Sequence, residues 1–251
     1  MKTISVVTIT QEPRQKCIMN LCDFIEKQTY RNKITEWVIV EGSKTKEEAN
    51  RNKEFIKNKL FRITEIPITY VEQPEGEGEK LKLSDFRNIG NEVSQGDIII
   101  CMDDDDYYPP MRIEDAVLKL TSTKKQIAGC SSVYLYDYKF EKLYKFKRFS
   151  YNHSTNNCLA YKKEYLLNHR YAEGLSSGEE MSFTDSFSEP MIQLDANKCI
   201  VVSSHNSNTF DKSCLCVKEN KQIDEIEDMR EIEEIIPFEI KNKIKECLNL
   251  I

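Results

Sequence analysis

Short apolar runs alternate along the chain with longer segments in which apolar residues recur at helical spacing. Apolar runs rich in β-branched residues predict strands buried on both faces, as in a parallel sheet. These strands are predicted at Ile4–Thr10, Trp37–Val40, Ile68–Val71 and Asp97–Met102. Helices between them are predicted over Arg14–Lys27, over Lys46–Leu60 and from an N-cap at Ser84 to Val93. This alternation is typical of βαβ units, so we predict an α/β fold with a mostly parallel central sheet flanked by helices.

The pattern changes after Pro110. A helix, a Tyr- and Lys-rich hairpin and two short strands are predicted at Ile113–Leu120, Val133–Phe149, Asn157–Tyr161 and Cys199–Ser203. Residues 211–251 are predicted as helices broken at Pro237, because apolar residues recur there at helical spacing: Ile223, Ile226, Met229, Ile232 and Ile236. We expect this apolar face to pack on the domain; the alternative is a homo-oligomer contact through the C-terminal helices. The chain is accordingly divided into residues 1–110, 111–210 and 211–251.

Four consecutive aspartates, Asp103–Asp106, directly follow the most apolar strand, and Pro109 and Pro110 end that strand. The carboxyl end of a central strand is where open α/β sheets bind ligands. Carboxylates this crowded repel one another unless a cation joins them, and a hard divalent cation with oxygen ligands is the natural partner. The alternative is an ordinary solvated acidic turn. An EF-hand does not fit, because the register D-x-D-x-D-G is absent.

Composition narrows the class of protein. The net charge of −6 over 251 residues argues against a general nucleic-acid binder. Nine cysteines at irregular spacing, with no C-x-x-C pair, suggest reduced thiols and a cytoplasmic protein. The first residues lack the long apolar core and cleavage site of a signal peptide, and no run reaches the ~18 apolar residues of a membrane span.

Five segments, in order, resemble nucleotide-sugar glycosyltransferases of the GT-A fold, closest to the family-2-like inverting group. They are ISVVTIT, WVIVEGS, SDFRNIGNEVSQGDIIICMDDDDYYPP, SGEEMSF and VVSSHNSN. The resemblance implies that residues 1–110 bind the donor, that residues 111–210 form the acceptor half with a small β element, and that residues 211–251 are an extension. It implies metal-dependent transfer from a nucleoside-diphosphate sugar, with a preference for UDP, to a hydroxyl of a glycan, protein or small-molecule acceptor. The transfer would invert the anomeric carbon.

The same resemblance assigns the acidic residues. Asp103 and Asp105 would be the D-x-D pair, with Asp105 the direct metal ligand and Asp103 reaching the ribose or the metal. Asp104 and Asp106 would assist the D-x-D pair in this binding, or would only brace the loop. His205 would be a ligand of the metal or the diphosphate, its alternative being a surface residue. An imidazole ligand favours Mn²⁺ over Mg²⁺.

The remaining donor contacts follow the same motifs. Thr10 and Glu41 would contact the nucleotide, although Glu41 stands where the family usually has Asp. Arg87 would face the phosphates, for which a guanidinium is well shaped; its alternative is a helix-surface cation. Lys80 and Lys82 border a Gly-containing loop, Pro74–Lys80, and could reach the diphosphate.

Glu180 is the predicted general base, with Glu179 beside it as the second candidate. Such a base must lie within hydrogen-bond reach of the acceptor hydroxyl. Glu180 also replaces the usual Asp, which lengthens its reach. The structural alternative is a pair of acids at a helix N-terminus.

Two other classes of function stay open at this stage. A nucleotidyltransferase or pyrophosphorylase shares the sheet topology and metal use, but carries a Gly-rich loop after its first strand, and Gln11–Arg14 contains no glycine. A non-catalytic module that binds nucleotide sugars is the third hypothesis. Metal-dependent hydrolysis of nucleotide sugars separates the three.

Overall fold

A computed structural model describes residues 2–74, 81–206, 208, 212–216 and 220–250. The predicted loop Pro74–Lys80 therefore lies, beyond Pro74, outside the described residues. The strands are β1 (Ile4–Thr10), β2 (Ile34–Glu41), β3 (Ile68–Val71), β4 (Ile98–Cys101), β5 (Ile127–Gly129), β6 (Tyr134–Asp137), β7 (Lys142–Phe146), β8 (Ala160–Lys162), β9 (Met191–Gln193), β10 (Val201–Ser204) and β11 (Ile223–Ile226). The helices are α1 (Gln15–Glu26), α2 (Lys46–Asn58), α3 (Leu83–Val93), α4 (Arg112–Thr121), α5 (Glu179–Phe183), α6 (Ala196–Cys199), α7 (Met229–Ile235) and α8 (Phe238–Cys247).

Seven strands form the larger sheet, in the order β3-β2-β1-β4-β8-β5-β9. The strands β3, β2, β1 and β4 are mutually parallel, and Val6 of β1 lies between Trp37 and Ile100 of its neighbours. The strand β8 runs antiparallel to both β4 and β5, and β9 is parallel to β5. The carboxyl ends of β1, β4, β5 and β9 therefore meet at one edge of the sheet. This confirms the predicted α/β fold, and residues 1–110 and 111–210 contribute strands to the same sheet.

The strands β1, β2 and β4 form where predicted because their apolar runs are buried in the sheet, whereas the edge strand β3 is partly buried. Every residue of β4 is buried, and so is every residue of β1 except Ile9. Helices α1 and α4 cover one face of the sheet with their buried stripes, and α3 covers the other through Phe86. Gly90 lets α3 lie against the sheet, since a Cβ there would sit 2.7 Å from Val7 Cγ1.

A second, smaller sheet has the order β10-β6-β7-β11. Its centre is the predicted hairpin, whose strands β6 and β7 pair antiparallel. The prediction of helix throughout residues 211–251 is wrong for Ile223–Ile226, which form β11 along the open edge of β7. An unpaired strand edge offers backbone hydrogen bonds, and that tertiary contact outweighs the local helical spacing. The two helices after it, α7 and α8, agree with the prediction and its break at Pro237.

The C-terminal helix α8 packs on α1. The Sγ atoms of Cys17 and Cys247 lie 2.8 Å apart, Asn20 donates to the carbonyl of Lys243, and Lys243 Nζ lies 2.7 Å from Asp23 Oδ2. Of the predicted apolar face, Ile232 and Ile236 are buried in the core and Ile223 and Ile226 are partly buried against it, whereas Met229 is 72% exposed. Contact with a second copy stays a prediction.

Three smaller predictions need correction or comment. Ser84 is not the N-cap of α3, which begins at Leu83; its hydroxyl instead accepts from the backbone of Leu175. Asn157 and Cys158 belong to a 3₁₀ turn before β8. Seven of the nine cysteines are buried, and their reduced state stays a prediction. Among the described residues, no helix has both the length and the apolar character needed to cross a bilayer.

Candidate active site

The acidic turn begins where β4 ends. Met102 donates its backbone N–H to Val7, which continues the β1–β4 ladder, and the amide of Asp103 donates to the Tyr108 hydroxyl at 2.7 Å. Tyr108 is 1% exposed, so this bond anchors the start of the turn from below. The four carboxylates then point to different partners, and their roles separate accordingly.

Asp103 is the most exposed of the four, with 28% of its side chain accessible. Arg87 Nη1 donates to its Oδ1 at 2.8 Å, and Arg87 Nε lies 3.5 Å from Glu179 Oε1. With the Asn156 amide turned so that its oxygen faces the guanidinium, Asn156 accepts from Arg87 Nε at 2.9 Å. Arg87 is therefore a buried link between the acidic turn and α5, and not the helix-surface cation of the alternative.

Asp104 and Asp105 face the first loop. Thr10 donates its hydroxyl to Asp104 at 2.7 Å, and Arg14 Nη1 lies 2.9 Å from Asp104 Oδ1 and 2.8 Å from Asp105 Oδ2. His205 Nε2 lies 3.0 Å from that same Asp105 oxygen. Burial raises the pKa of Asp104 to about 6, against the opposing charge of Arg14. Burial would also raise the pKa of Asp105, but the charge of Arg14 and the hydrogen bond from His205 outweigh it and hold that pKa well below its ordinary value.

Asp106 has a structural role. It is 1% exposed, and its two oxygens accept from the Ser203 amide and from Asn157 Nδ2, both at 2.7 Å. Burial raises its pKa to about 7. Asp106 therefore ties β10 and the turn before β8 to the acidic turn, which is the bracing alternative of the sequence analysis.

The two glutamates of α5 are distinguished by their surroundings. Gly178 adopts a left-handed conformation, with φ of 66°, and turns the chain into α5. Glu179 is 3% exposed and lies beside Arg87. Burial and then the charge of Glu179 raise the pKa of Glu180 to about 7. A carboxylate with a pKa near neutrality is suited to accept a proton, and Glu180 stays the predicted general base with Glu179 as the second candidate.

One cavity of about 820 Å³ brings these groups together. Seven predicted site residues line it: Thr10, Arg87, Asp103, Asp104, Asp105, Glu179 and Glu180. Lys82 lines it as well, whereas Lys80 lies outside the described residues. His205 is not a lining residue; its side chain is fully buried behind Asp105. It is therefore not the surface residue of the alternative.

The contact of Glu41 with the nucleotide stays a prediction. Glu41 is 1% exposed, does not line the cavity, and accepts from the Ser43 amide at 2.7 Å and from Asn52 Nδ2 at 2.8 Å. The Tyr70 hydroxyl also donates to it. The longer Glu side chain turns back beneath the strand end, where it fixes the segment whose Gly42 and Lys44 do line the cavity.

Several lining residues were not predicted. Arg14, Asn156 and Lys212 all reach the cavity from 3₁₀ turns. Arg14 had a usable signal, since it is a basic residue just after a strand that ends at the acidic edge. No pattern in the sequence indicated Asn156 or Lys212, because their positions depend on long-range packing.

The donor set suits a hard divalent cation that shares its coordination with a substrate. Among the described residues, no three His, Cys, Asp or Glu side chains converge as a complete metal site. Asp103 and Asp105 nevertheless present carboxylate oxygens at the cavity. One or two carboxylates, completed by the phosphates of a bound substrate, are a usual arrangement for such an ion.

Comparison with known proteins agrees with this geometry. The model of Glycosyl transferase family 2 matches residues 5–174, and the chain belongs to that family. No curated protein sequence matches significantly. One similar solved structure is the mannosyltransferase PcManGT from Pyrobaculum calidifontis in complex with GDP-Man and Mn²⁺, with 16% identity over 83% of this chain and 59% of that one, and a TM-score of 0.59.

A second similar structure is residues 1–349 of S. aureus TarS in complex with UDP-GlcNAc. It shows 16% identity over 82% of this chain and 60% of that one, with a TM-score of 0.60. Likeness at this identity establishes the fold, which is the predicted GT-A fold. The chain spans about three fifths of the length of each of these two solved chains.

Proposed function

We propose that the protein transfers a sugar from a nucleoside-diphosphate sugar to an acceptor hydroxyl, with a divalent cation and with inversion at the anomeric carbon. The observation that carries this proposal is the common cavity of Asp103, Asp105 and Glu180. A site for the leaving diphosphate and a site for the acceptor proton thus open on one space. The two similar structures, solved with GDP-Man and with UDP-GlcNAc, support this class of donor without deciding between the nucleobases.

The acidic turn would hold the diphosphate end of the donor. Asp105, whose low pKa keeps it ionised, and Asp103 would hold Mn²⁺ or Mg²⁺, with His205 fixing Asp105 from behind. A bound cation of this kind neutralises a diphosphate leaving group as a Lewis acid. Lys44 and Lys82 also line the cavity and add positive charge to it.

Glu180 would remove the proton from the acceptor hydroxyl. Its pKa near 7 leaves a useful ionised fraction at neutral pH and a base strong enough to accept the proton as the bond forms. Attack from the Glu180 side on a donor whose leaving group lies at the acidic turn is a single in-line displacement, and such a displacement inverts the anomeric carbon.

The first experiment is a panel of UDP- and GDP-sugars, with released nucleoside diphosphate measured with and without Mn²⁺. We expect slow, metal-dependent hydrolysis of one donor, and acceleration by glycan or small-molecule acceptors that carry the right hydroxyl. NMR of the product should show the configuration opposite to that of the donor. Activity only with a nucleoside triphosphate and a sugar phosphate would indicate a nucleotidyltransferase, and donor binding without turnover would indicate a binding module.

A further inference from the structure

Arg14 contacts Asp105, one of the two carboxylates proposed to hold the cation, and its neighbour Asp104. Its Nη1 lies 2.9 Å from Asp104 Oδ1 and 2.8 Å from Asp105 Oδ2. The side chain of Arg14 is 16% exposed, and those of Asp104 and Asp105 are 1% and 6% exposed. This is a nearly dry ion cluster at the carboxyl end of β1, and not a solvated surface pair.

The Asp105 oxygen that Arg14 contacts is already crowded with donors. His205 Nε2 lies 3.0 Å and Asn208 Nδ2 3.3 Å from the same Oδ2. A carboxylate oxygen offers about two lone-pair positions, so three close donors leave none for a metal ion. A divalent cation can bind Oδ2 only if a donor leaves. At either oxygen of Asp105 the cation meets the positive charge of Arg14, so Arg14 is the donor that we expect a cation to displace.

The Arg14 guanidinium can also bind a second partner, a phosphate group in the cavity. The Arg14 side chain lines the cavity, as do Lys44 and Lys212. A guanidinium keeps its charge at any working pH and matches phosphate oxygens with two parallel hydrogen bonds. Once a cation has taken the carboxylates, a diphosphate beside it presents oxygens that can receive Arg14.

We propose that Arg14 is a displaceable cation of this site. It holds Asp104 and Asp105 together until a divalent cation and a diphosphate bind, and it then moves from the carboxylates to the diphosphate. The proposal rests on the proposed metal-dependent binding of a nucleotide sugar. Its consequence is coupling: the cation binds weakly alone, because it must displace Arg14, and more tightly with the diphosphate, which receives the displaced guanidinium.

The experiment compares Mn²⁺ binding to the wild type and to Arg14→Gln. Binding is followed by the loss of the EPR signal of free Mn²⁺, first alone and then with inorganic pyrophosphate. Mn²⁺ alone should bind Arg14→Gln about tenfold more tightly or better, because a charge-assisted contact no longer has to break. Pyrophosphate in the presence of Mn²⁺ should bind the variant about tenfold more weakly, because its guanidinium partner is gone.

The matched control is Arg51→Gln. Arg51 Nε lies 3.2 Å from Glu12 on the exposed surface, so this variant removes the same charge near the same loop without touching the acidic turn. Both affinities should stay at the wild-type values. If Arg14→Gln does not fold, Arg14→Lys serves instead, since a shorter side chain with a single ammonium cannot bridge the two carboxylates equally well. Mn²⁺ affinity should then rise by a smaller factor.

The outcomes separate the two proposals. Equal Mn²⁺ affinity in the wild type and the folded variant, with normal pyrophosphate binding, overturns the role of Arg14 and leaves metal-dependent transfer standing. Weaker Mn²⁺ binding in the variant also overturns it, because Arg14 would then support the metal site. If Mn²⁺ binds neither protein, with or without pyrophosphate, both the role of Arg14 and the metal dependence of the proposed function fail.

Discussion

Glu180→Gln is the most direct test of the proposed chemistry. The substitution keeps the shape of the side chain and its capacity for hydrogen bonds, but removes the base. Turnover should fall by about 10²–10⁴-fold, the usual worth of general base catalysis. Donor affinity, measured by calorimetry with Mn²⁺, should stay within a few-fold, because the contacts at the acidic turn are unchanged.

The pKa of Glu180 sets the expected pH dependence. Burial raises it from 4.5 to about 7, and only the ionised form can accept a proton. The wild-type kcat/KM should therefore fall as pH decreases through about 7, by roughly tenfold per pH unit, so that pH 5 retains about one hundredth of the plateau. In Glu180→Gln this acidic limb should be absent from the residual rate.

Glu179→Gln is the informative companion variant. The charge of Glu179 is, after burial, the next cause of the raised pKa of Glu180. Removing that charge should lower the pKa, so the acidic limb should move to lower pH even though Arg87 loses a neighbour. Glu173→Gln, in the exposed loop before α5, removes an equal charge as the control. Near-normal turnover in Glu180→Gln, or an unchanged acidic limb, would refute the assignment; loss of turnover only in Glu179→Gln would move the base to Glu179.

Three further predictions concern binding and stability. Asp105→Ala should abolish Mn²⁺-dependent binding of a nucleoside diphosphate in calorimetry while the far-UV circular dichroism stays native, and His205→Ala should weaken that binding less; equal affinity in Asp105→Ala and wild type would remove Asp105 from the site. In Asp106→Asn, the new amide nitrogen faces one of the two buried donors, Asn157 Nδ2 or the Ser203 amide, from which the carboxylate accepts. The free energy of unfolding in urea should therefore fall by about 1–3 kcal/mol. An unchanged denaturation midpoint would contradict the bracing role. Gly90→Ala places a Cβ 2.7 Å from a Val7 methyl. The cost of overpacking, about 1–3 kcal/mol, should exceed the gain in helix propensity of about 1 kcal/mol, so the free energy of unfolding should fall. A more stable variant would show that α3 can move away from the sheet.

The sequence predicted those parts of the fold that depend on local patterns. The strands β1 to β4 lie where the apolar runs predict them, with β1, β2 and β4 mostly buried and β3 partly buried, and the acidic turn lies at the end of β4 as expected. Asp103 and Glu180 meet in one cavity although they lie far apart in the chain. Their motifs, and not their spacing, indicated that they belong to one site.

What the sequence did not predict depends on tertiary contacts. The hydrogen bonds that Asn52 and Tyr70 donate to the Glu41 carboxylate join separate elements, and no local pattern predicts them. The residues Ile223–Ile226 have helical spacing, yet they pair with β7 because that edge is open. The position of Arg14 after β1 indicates the edge of the sheet at which it lies, but its contact with Asp104 and Asp105 spans about ninety residues and no local pattern indicates those partners.

The packing of α8 on α1 has a consequence for biosynthesis. Helix α1 leaves the ribosome early, but α8, which covers part of it, emerges only after the 230 positions that separate Cys17 from Cys247. At translation rates of about 5–20 residues per second, that interval is roughly 10–50 s. During this time the face of α1 around Cys17 has no native cover, so it is a surface on which a nascent chain would rely on chaperones.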